Sequence, residues 1–183
     1  MTRSARVPTV HEYPCRVDTE TRWSDNDQYG HLNNAVYYEL FDTAINGWIA
    51  EQILANPDPD PAQRPMAVVA ESACTYFHEL SFPLRLTIGF GVSRLGRSSV
   101  TYDLVIGKKS GTSRAAGAAS TVAARGHWVH VYVDPNTRRP SEIPDNVRRV
   151  LASARIEKSD DDTAARAVGT TARIVHTART TVN

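Results

Sequence analysis

Cysteine is scarce in this chain: of 183 residues only Cys15 and Cys74 carry a thiol. Two cysteines without C-x-x-C spacing cannot form a disulfide framework, a zinc knuckle or a redox pair, so both are read as ordinary thiols. Charge of one sign is also lacking, because 21 basic side chains face 20 acidic ones for a formal charge of +1. A long nucleic-acid groove or a polybasic membrane surface needs basic excess on one face, and neither is expected here. No stretch approaches the ~20 apolar residues of a membrane span. The N-terminus carries Arg3 and Arg6 with no apolar run behind them, which predicts a cytoplasmic protein. No Gly-x-Ser-x-Gly elbow is present, and Gly107-Lys108-Lys109-Ser110 lacks the upstream glycine of a phosphate loop. His127 and His130, three apart, point to opposite faces of a regular strand and cannot chelate one metal. Small molecules and other proteins are left as partners.

What is present fits one soluble domain: 41% hydrophobic residues in a chain of this length are enough for a substantial core. Residues 16 to 23 alternate, with Val17, Thr19, Thr21 and Trp23 on one face, and predict a half-buried strand. A polar loop follows, then Asn33-Asn34, a good helix N-cap, and a long apolar-periodic segment ending before Pro57. On its wheel Tyr37, Phe41, Ala44 and Trp48 share one face and Glu39, Asp42, Thr43 and Asn46 the other, while Leu40, Ile45 and Ile49 widen the apolar side. Such a helix is enfolded, and Gly47 in its middle predicts close approach of another backbone. After a proline-rich surface loop at 57–65 the period falls to two. Met66, Val68, Ala70, Ser72, Cys74 and Tyr76 share one face of a strand, Leu84 to Val92 and Val100 to Ile106 form a hairpin through Leu95-Gly96-Arg97-Ser98, and residues from about 113 to Val133 give one or two more strands, with Gly126 as a bulge. A short helix is expected from Pro144 to about Arg155. The order predicts an α+β fold in which an antiparallel sheet of five to six strands wraps one long helix. Residues 1–11 are read as an N-terminal tail, 12–156 as the domain, and 157–183, rich in Ala, Thr, Arg and Asp, as a disordered C-terminal tail.

The loop from Trp23 to Tyr38 is the most informative part of the sequence. Asp25 and Asp27 precede Gly30-His31, and a helix then starts at the Asn pair. A carboxylate beside free backbone N–H groups at a helix N-terminus suits acyl transfer: the dipole end stabilises a carbonyl oxygen gaining charge, and the carboxylate attacks carbon or activates water. A plain turn-forming or capping role for Asp27 is the alternative on spacing alone.

The run Arg22-Trp23-Ser24-Asp25-Asn26-Asp27-Gln28-Tyr29-Gly30-His31-Leu32-Asn33-Asn34-Ala35-Val36-Tyr37-Tyr38 resembles the signature of the 4-hydroxybenzoyl-CoA thioesterase branch of hotdog-fold acyl-CoA thioesterases. Leu84 to Tyr102 and Val129 to Asp134 resemble later strands of that family, so the likeness covers about residues 12 to 150. It implies a hotdog fold, hydrolysis of an acyl-CoA thioester without metal or other cofactor, and a homodimer or homotetramer. It further implies that Asp27 is the catalytic carboxylate, that the Asn34 N–H polarises the carbonyl, and that Gly30 frees the loop backbone. His31 stands between a chemical role and loop packing. Arg97, Ser98 and Ser99 match a turn that contacts the CoA phosphates, for which an Arg fork and hydroxyls are suited. A non-catalytic acyl-CoA-binding module is the competing reading, because a scaffold does not carry function by itself. A hotdog dehydratase is a weaker one.

Overall fold

The structure, a computed structural model, describes residues 6–55, 66–109 and 121–156. The proline-rich loop, the stretch 110–120 and the C-terminal tail expected at 157–183 lie outside the described residues. Strand β1 (Cys15–Glu20) alternates as expected, with Cys15 buried and Arg16, Asp18 and Glu20 exposed. It ends three residues before Trp23, which the alternation places on its inward face but which instead opens a 3-10 turn over Trp23–Asp25 and is 80% exposed. The turn forms because the Asp25 carboxylate accepts the Arg22 backbone N–H at 2.6 Å, drawing the chain out of the sheet.

Helix α1 (Asn34–Ala55) starts where the Asn pair predicts: Asn33 Oδ1 accepts the Ala35 N–H at 3.0 Å. Tyr37, Phe41, Ala44 and Ile45 are buried, and Trp48 meets Phe90 edge-on at 5.7 Å. Gly47 does not serve the close approach expected of it, since it is exposed and a Cβ there would meet open space.

Strands β2 (Met66–Tyr76), β3 (Arg85–Leu95), β4 (Ser99–Lys108) and β5 (Val122–Val133) join β1 in one antiparallel sheet of order β1-β3-β4-β5-β2, with α1 against its inner face. This is the wrapped helix that the element order predicts. The face expected for β2 is corrected by a bulge between Val69 and Glu71. Val68 opposes Val131 and Glu71 opposes Val129, so the extra residue sends Met66 and Val68 to the other face from Ser72, Cys74 and Tyr76. Gly126 is not a bulge, because it stays in register with Cys74 and Leu104 on both sides. Its lack of a side chain is steric: a Cβ there would lie 2.9 Å from the Phe41 ring.

The outer face of β3 is covered too. A 3-10 turn at Val10–Glu12 brings Val10 onto it, 1% exposed, and the Tyr13 hydroxyl donates to Asp103 Oδ2 at 2.9 Å. A Cβ at Gly89 would meet the Val10 carbonyl at 2.7 Å, and one at Gly91 would meet Ile156 at 2.7 Å and Pro14 at 2.9 Å. The folded part therefore reaches further back than the boundary expected at residue 12. Helix α2 (Asp145–Ser153) buries Val147 and Leu151, and the chain leaves it by exchanging bonds with Val92, whose N–H reaches Ala154 O at 2.7 Å.

Under α1 lies a group of polar atoms with no hydrogen-bond partner among the described residues: Tyr102 Oη, Trp128 Nε1 and both ring nitrogens of His130. Burial lowers the His130 pKa below its ordinary 6.5, against a weaker opposing pull from Asp42. The unfolded chain therefore takes up a proton that the folded chain declines. The stability is whole above pH ~6.5 and is lost as pH falls from there toward the depressed folded value. His130→Phe should flatten this slope. Melting temperatures from pH 8 to 5.5 should show the variant gaining on the wild type by at least about 2 °C across that range, whereas parallel curves would show that His130 does not govern it.

Candidate active site

The loop between β1 and α1 is tied from several sides. Thr21 N–H bonds Leu84 O at 3.0 Å, Phe82 N–H bonds Asn26 Oδ1 at 3.0 Å, and Leu32 N–H bonds Leu80 O at 2.7 Å, fastening it to the segment between β2 and β3. Asp25 is the buried member of the acidic pair. It is 1% exposed, its carboxylate takes the Arg22 N–H and guanidinium, and its carbonyl accepts the Asn33 N–H at 2.8 Å.

Asp27 holds a more local ring of bonds. Its Oδ1 accepts the N–H groups of Tyr29 at 2.8 Å and His31 at 3.1 Å, and its own N–H donates to His31 O at 2.8 Å. Oδ2 takes part in neither carboxylate bond. Gly30 sits at φ +83°, a left-handed conformation that glycine adopts without strain, and this is the freedom expected of it.

A cleft of about 260 Å³ opens beside the start of α1, lined by His31, Asn34, Tyr37, Tyr76, Phe77, His78, Glu79 and leucines 32 and 80. His31 and Asn34 are thus brought together at the mouth of a 22-residue helix, whose dipole favours negative charge. Asp27 is adjacent through its bonds to His31, but it is not among the lining residues. Tyr76 meets Tyr37 edge-on at 5.0 Å and donates its hydroxyl to Asn34 O at 3.3 Å. Burial pushes both phenols above their ordinary value, so they remain neutral donors. Burial likewise raises the Cys15 thiol to about 11 and raises that of Cys74, which keeps both protonated.

Tyr76, Phe77, His78 and Glu79 line the candidate cleft and are missed by sequence reasoning. Tyr76 reads only as a strand residue, and the other three follow no motif spacing. Glu79 enters the site by pairing with His31, Oε2 to Nε2, at 3.2 Å.

Arg97, Ser98 and Ser99 lie elsewhere. Arg97 and Ser98 lie in the hairpin turn between β3 and β4 and Ser99 opens β4; Arg97 is solvent-facing and pairs with Glu142 at 3.2 Å, and Ser98 O accepts the Tyr132 N–H at 2.7 Å. The acidic loop follows the Glu20–Arg85 end of the β1–β3 ladder, and this turn caps the other end of β3. Eleven extended residues separate them, roughly 35 Å. One chain does not bring the two predicted clusters together.

The sequence matches the thioesterase-like superfamily over residues 21–151. The solved structure of the PA5185 protein from Pseudomonas aeruginosa strain PAO1 is 35% identical, covering 83% of this chain and 99% of that one with a TM-score of 0.71. A thioesterase from Thermus thermophilus complexed with coenzyme A and Zn is 23% identical, covering 81% and 98% with a TM-score of 0.60. A 1,4-dihydroxy-2-naphthoyl-CoA thioesterase from Synechocystis shares the fold at 14% identity, covering 75% and 94% with a TM-score of 0.60. No match is found among curated proteins. The fold is the hotdog, and the chain belongs to the thioesterase-like superfamily. No helix among the described residues is long and apolar enough to cross a membrane.

Proposed function

We propose that the protein hydrolyses an acyl-CoA thioester to a free carboxylic acid and CoA. The observation that carries this reading is the convergence of the Asp27–His31 loop and the α1 N-terminus on one cleft, in a chain of the thioesterase-like superfamily. The substrate class is supported by the coenzyme A bound to the Thermus relative. Asp27 acts as nucleophile or general base, and the Asn34 N–H receives the charge that develops on the carbonyl oxygen. The test is release of free thiol from a panel of acyl-CoAs that varies chain length and includes aromatic acyl groups. Hydrolysis of none of them, with binding retained, would make the protein an acyl-CoA-binding module instead.

The working unit is a homodimer. Strand β2 is an edge of the sheet, and along it Val68, Val69 and Tyr76 stand 38%, 50% and 44% exposed. An apolar edge of this length invites pairing with another strand. Its Met66 end lies beside Val133, on the Arg97 side of the sheet, while its Tyr76 end lies at the cleft. Antiparallel pairing of two such edges would bring the partner's Arg97 turn toward the Asn34 end of the first chain, making one site from two clusters.

Arg97→Ala should raise KM for acyl-CoA severalfold while leaving kcat nearly unchanged, since a phosphate contact is equal in ground and transition states. A pantetheine thioester, which lacks the nucleotide phosphates, should be hydrolysed as by the wild type. Equal losses on both substrates would remove the phosphate assignment. The dimer is tested in the same preparations by sedimentation, where a fully active monomer would exclude it.

A further inference from the structure

In the candidate cleft the exposed carboxylate is Glu79, and it points at a histidine whose main chain is already fastened to Asp27. His31 N–H donates to Asp27 Oδ1 at 3.1 Å and His31 O accepts the Asp27 N–H at 2.8 Å, so the two residues hold one fixed relation. The ring is held from the opposite side, where Nε2 lies 3.2 Å from Glu79 Oε2. Glu79 belongs to the segment between β2 and β3, which is bonded to the loop through Leu80 O and Leu32 N–H at 2.7 Å.

A carboxylate is an acceptor only, so the nitrogen facing it carries the proton, and Nδ1 is left as the ring's acceptor. The His31 and Glu79 side chains are 45% and 77% exposed. A hydrogen bond this open adds little to stability, and its geometric effect, fixing tautomer and ring direction beside a carboxylate and a helix N-terminus, is the larger consequence.

We propose that Glu79 is a positioning residue that orients His31 as general base for the hydrolytic water. The inference rests on the thioesterase reading and takes Asp27 as the nucleophile. In the first step Asp27 Oδ2 bonds to the acyl carbon and the C–S electron pair leaves with CoA as thiolate. In the second, water gives one proton to His31 Nδ1 as its oxygen bonds to the acyl carbon. The electron pair of the acyl bond to Asp27 returns to the carboxylate, the acid departs with the water's other proton, and the imidazolium passes its proton to the thiolate. One water is consumed, and one acid and one thiol are formed. Tyr37, Tyr76 and His78 line the same cleft, and burial keeps the two phenols neutral.

The test is rapid-mixing measurement of thiol release by Glu79→Ala, using an acyl-CoA that the wild type turns over. Release of about one thiol per site at the wild-type rate is expected, followed by a steady state slowed roughly 10- to 100-fold, because only the water step depends on the orientation of the base. His31→Gln should show the same burst, and the double variant should be no slower than His31→Gln alone, since both substitutions act through one ring. An unchanged steady state in Glu79→Ala, or a first turnover slowed as much as later ones, would overturn the inference while leaving the thioesterase reading intact. A wild type that releases no thiol from any acyl-CoA would remove that reading and the inference with it.

Discussion

Asp27→Asn should lower turnover by at least ~100-fold with folding and acyl-CoA binding retained. The loop explains why this variant separates chemistry from structure. The Asp27 carboxylate uses Oδ1 alone to hold the Tyr29 and His31 N–H groups. An amide oxygen placed at Oδ1 accepts both bonds, so the turn and the placement of His31 survive. What disappears is the negative charge at the second oxygen, which is the charge that nucleophilic attack or proton abstraction requires. Asp25→Asn is the informative counterpart. Asp25 is buried and accepts the Arg22 N–H and guanidinium, and an amide nitrogen in place of either oxygen would face a donor. Its cost should appear in stability, about 1–3 kcal/mol for an unsatisfied buried group, with kcat of the folded fraction changed far less. Measuring kcat, acyl-CoA affinity and melting temperature for both variants separates the roles. A large kcat loss in Asp25→Asn with none in Asp27→Asn would mean that the chemistry belongs to the other carboxylate.

The different surroundings of the two acids show what a linear sequence can and cannot reveal. Both stand in one polar loop, and spacing alone leaves either free to be reactive. Burial separates them, and it is decided by Arg22 and by the fastening of the loop to residues far along the chain. The α1 start at Asn34 and the two-residue period of β3 to β5 are legible because capping and alternation are local properties. The β2 bulge is not: one extra residue reverses the faces beyond it, and what selects it is the register against β5. Gly89 and Gly91 do carry a signal in their alternation with Ile88, Phe90 and Val92. Small residues on an outward face announce covering segments, here the Val10–Tyr13 stretch over Gly89, which composition assigns in part to a tail, and Pro14 with Ile156 over Gly91. Glu79 follows no motif, and only the packing of its segment against the acidic loop gives it a partner.

The second large effect is expected where the helix touches the sheet. Phe41 is 0% exposed, meets Trp128 edge-on at 5.8 Å, and places its ring 2.9 Å from where a Gly126 Cβ would stand. Phe41→Ala should cost about 3–5 kcal/mol, the transfer loss of the ring plus the cavity left behind. Gly126→Val should also destabilise, by about 1–3 kcal/mol, although valine favours strands, because the ring that must give way is a fixed core group. The two substitutions should not add. With the ring gone, the valine methyls enter the vacated space, so the double variant should be more stable than the sum of the single losses by at least about 0.5 kcal/mol, as residues in direct contact allow. Denaturant unfolding of the four proteins gives this coupling, and strict additivity would show that Gly126 is small for a reason other than Phe41. The contact also reaches the site. Phe41 lies two helical turns from Asn34, so a helix displaced by Gly126→Val carries its N-terminus with it, and kcat in that variant should fall further than the folded fraction does.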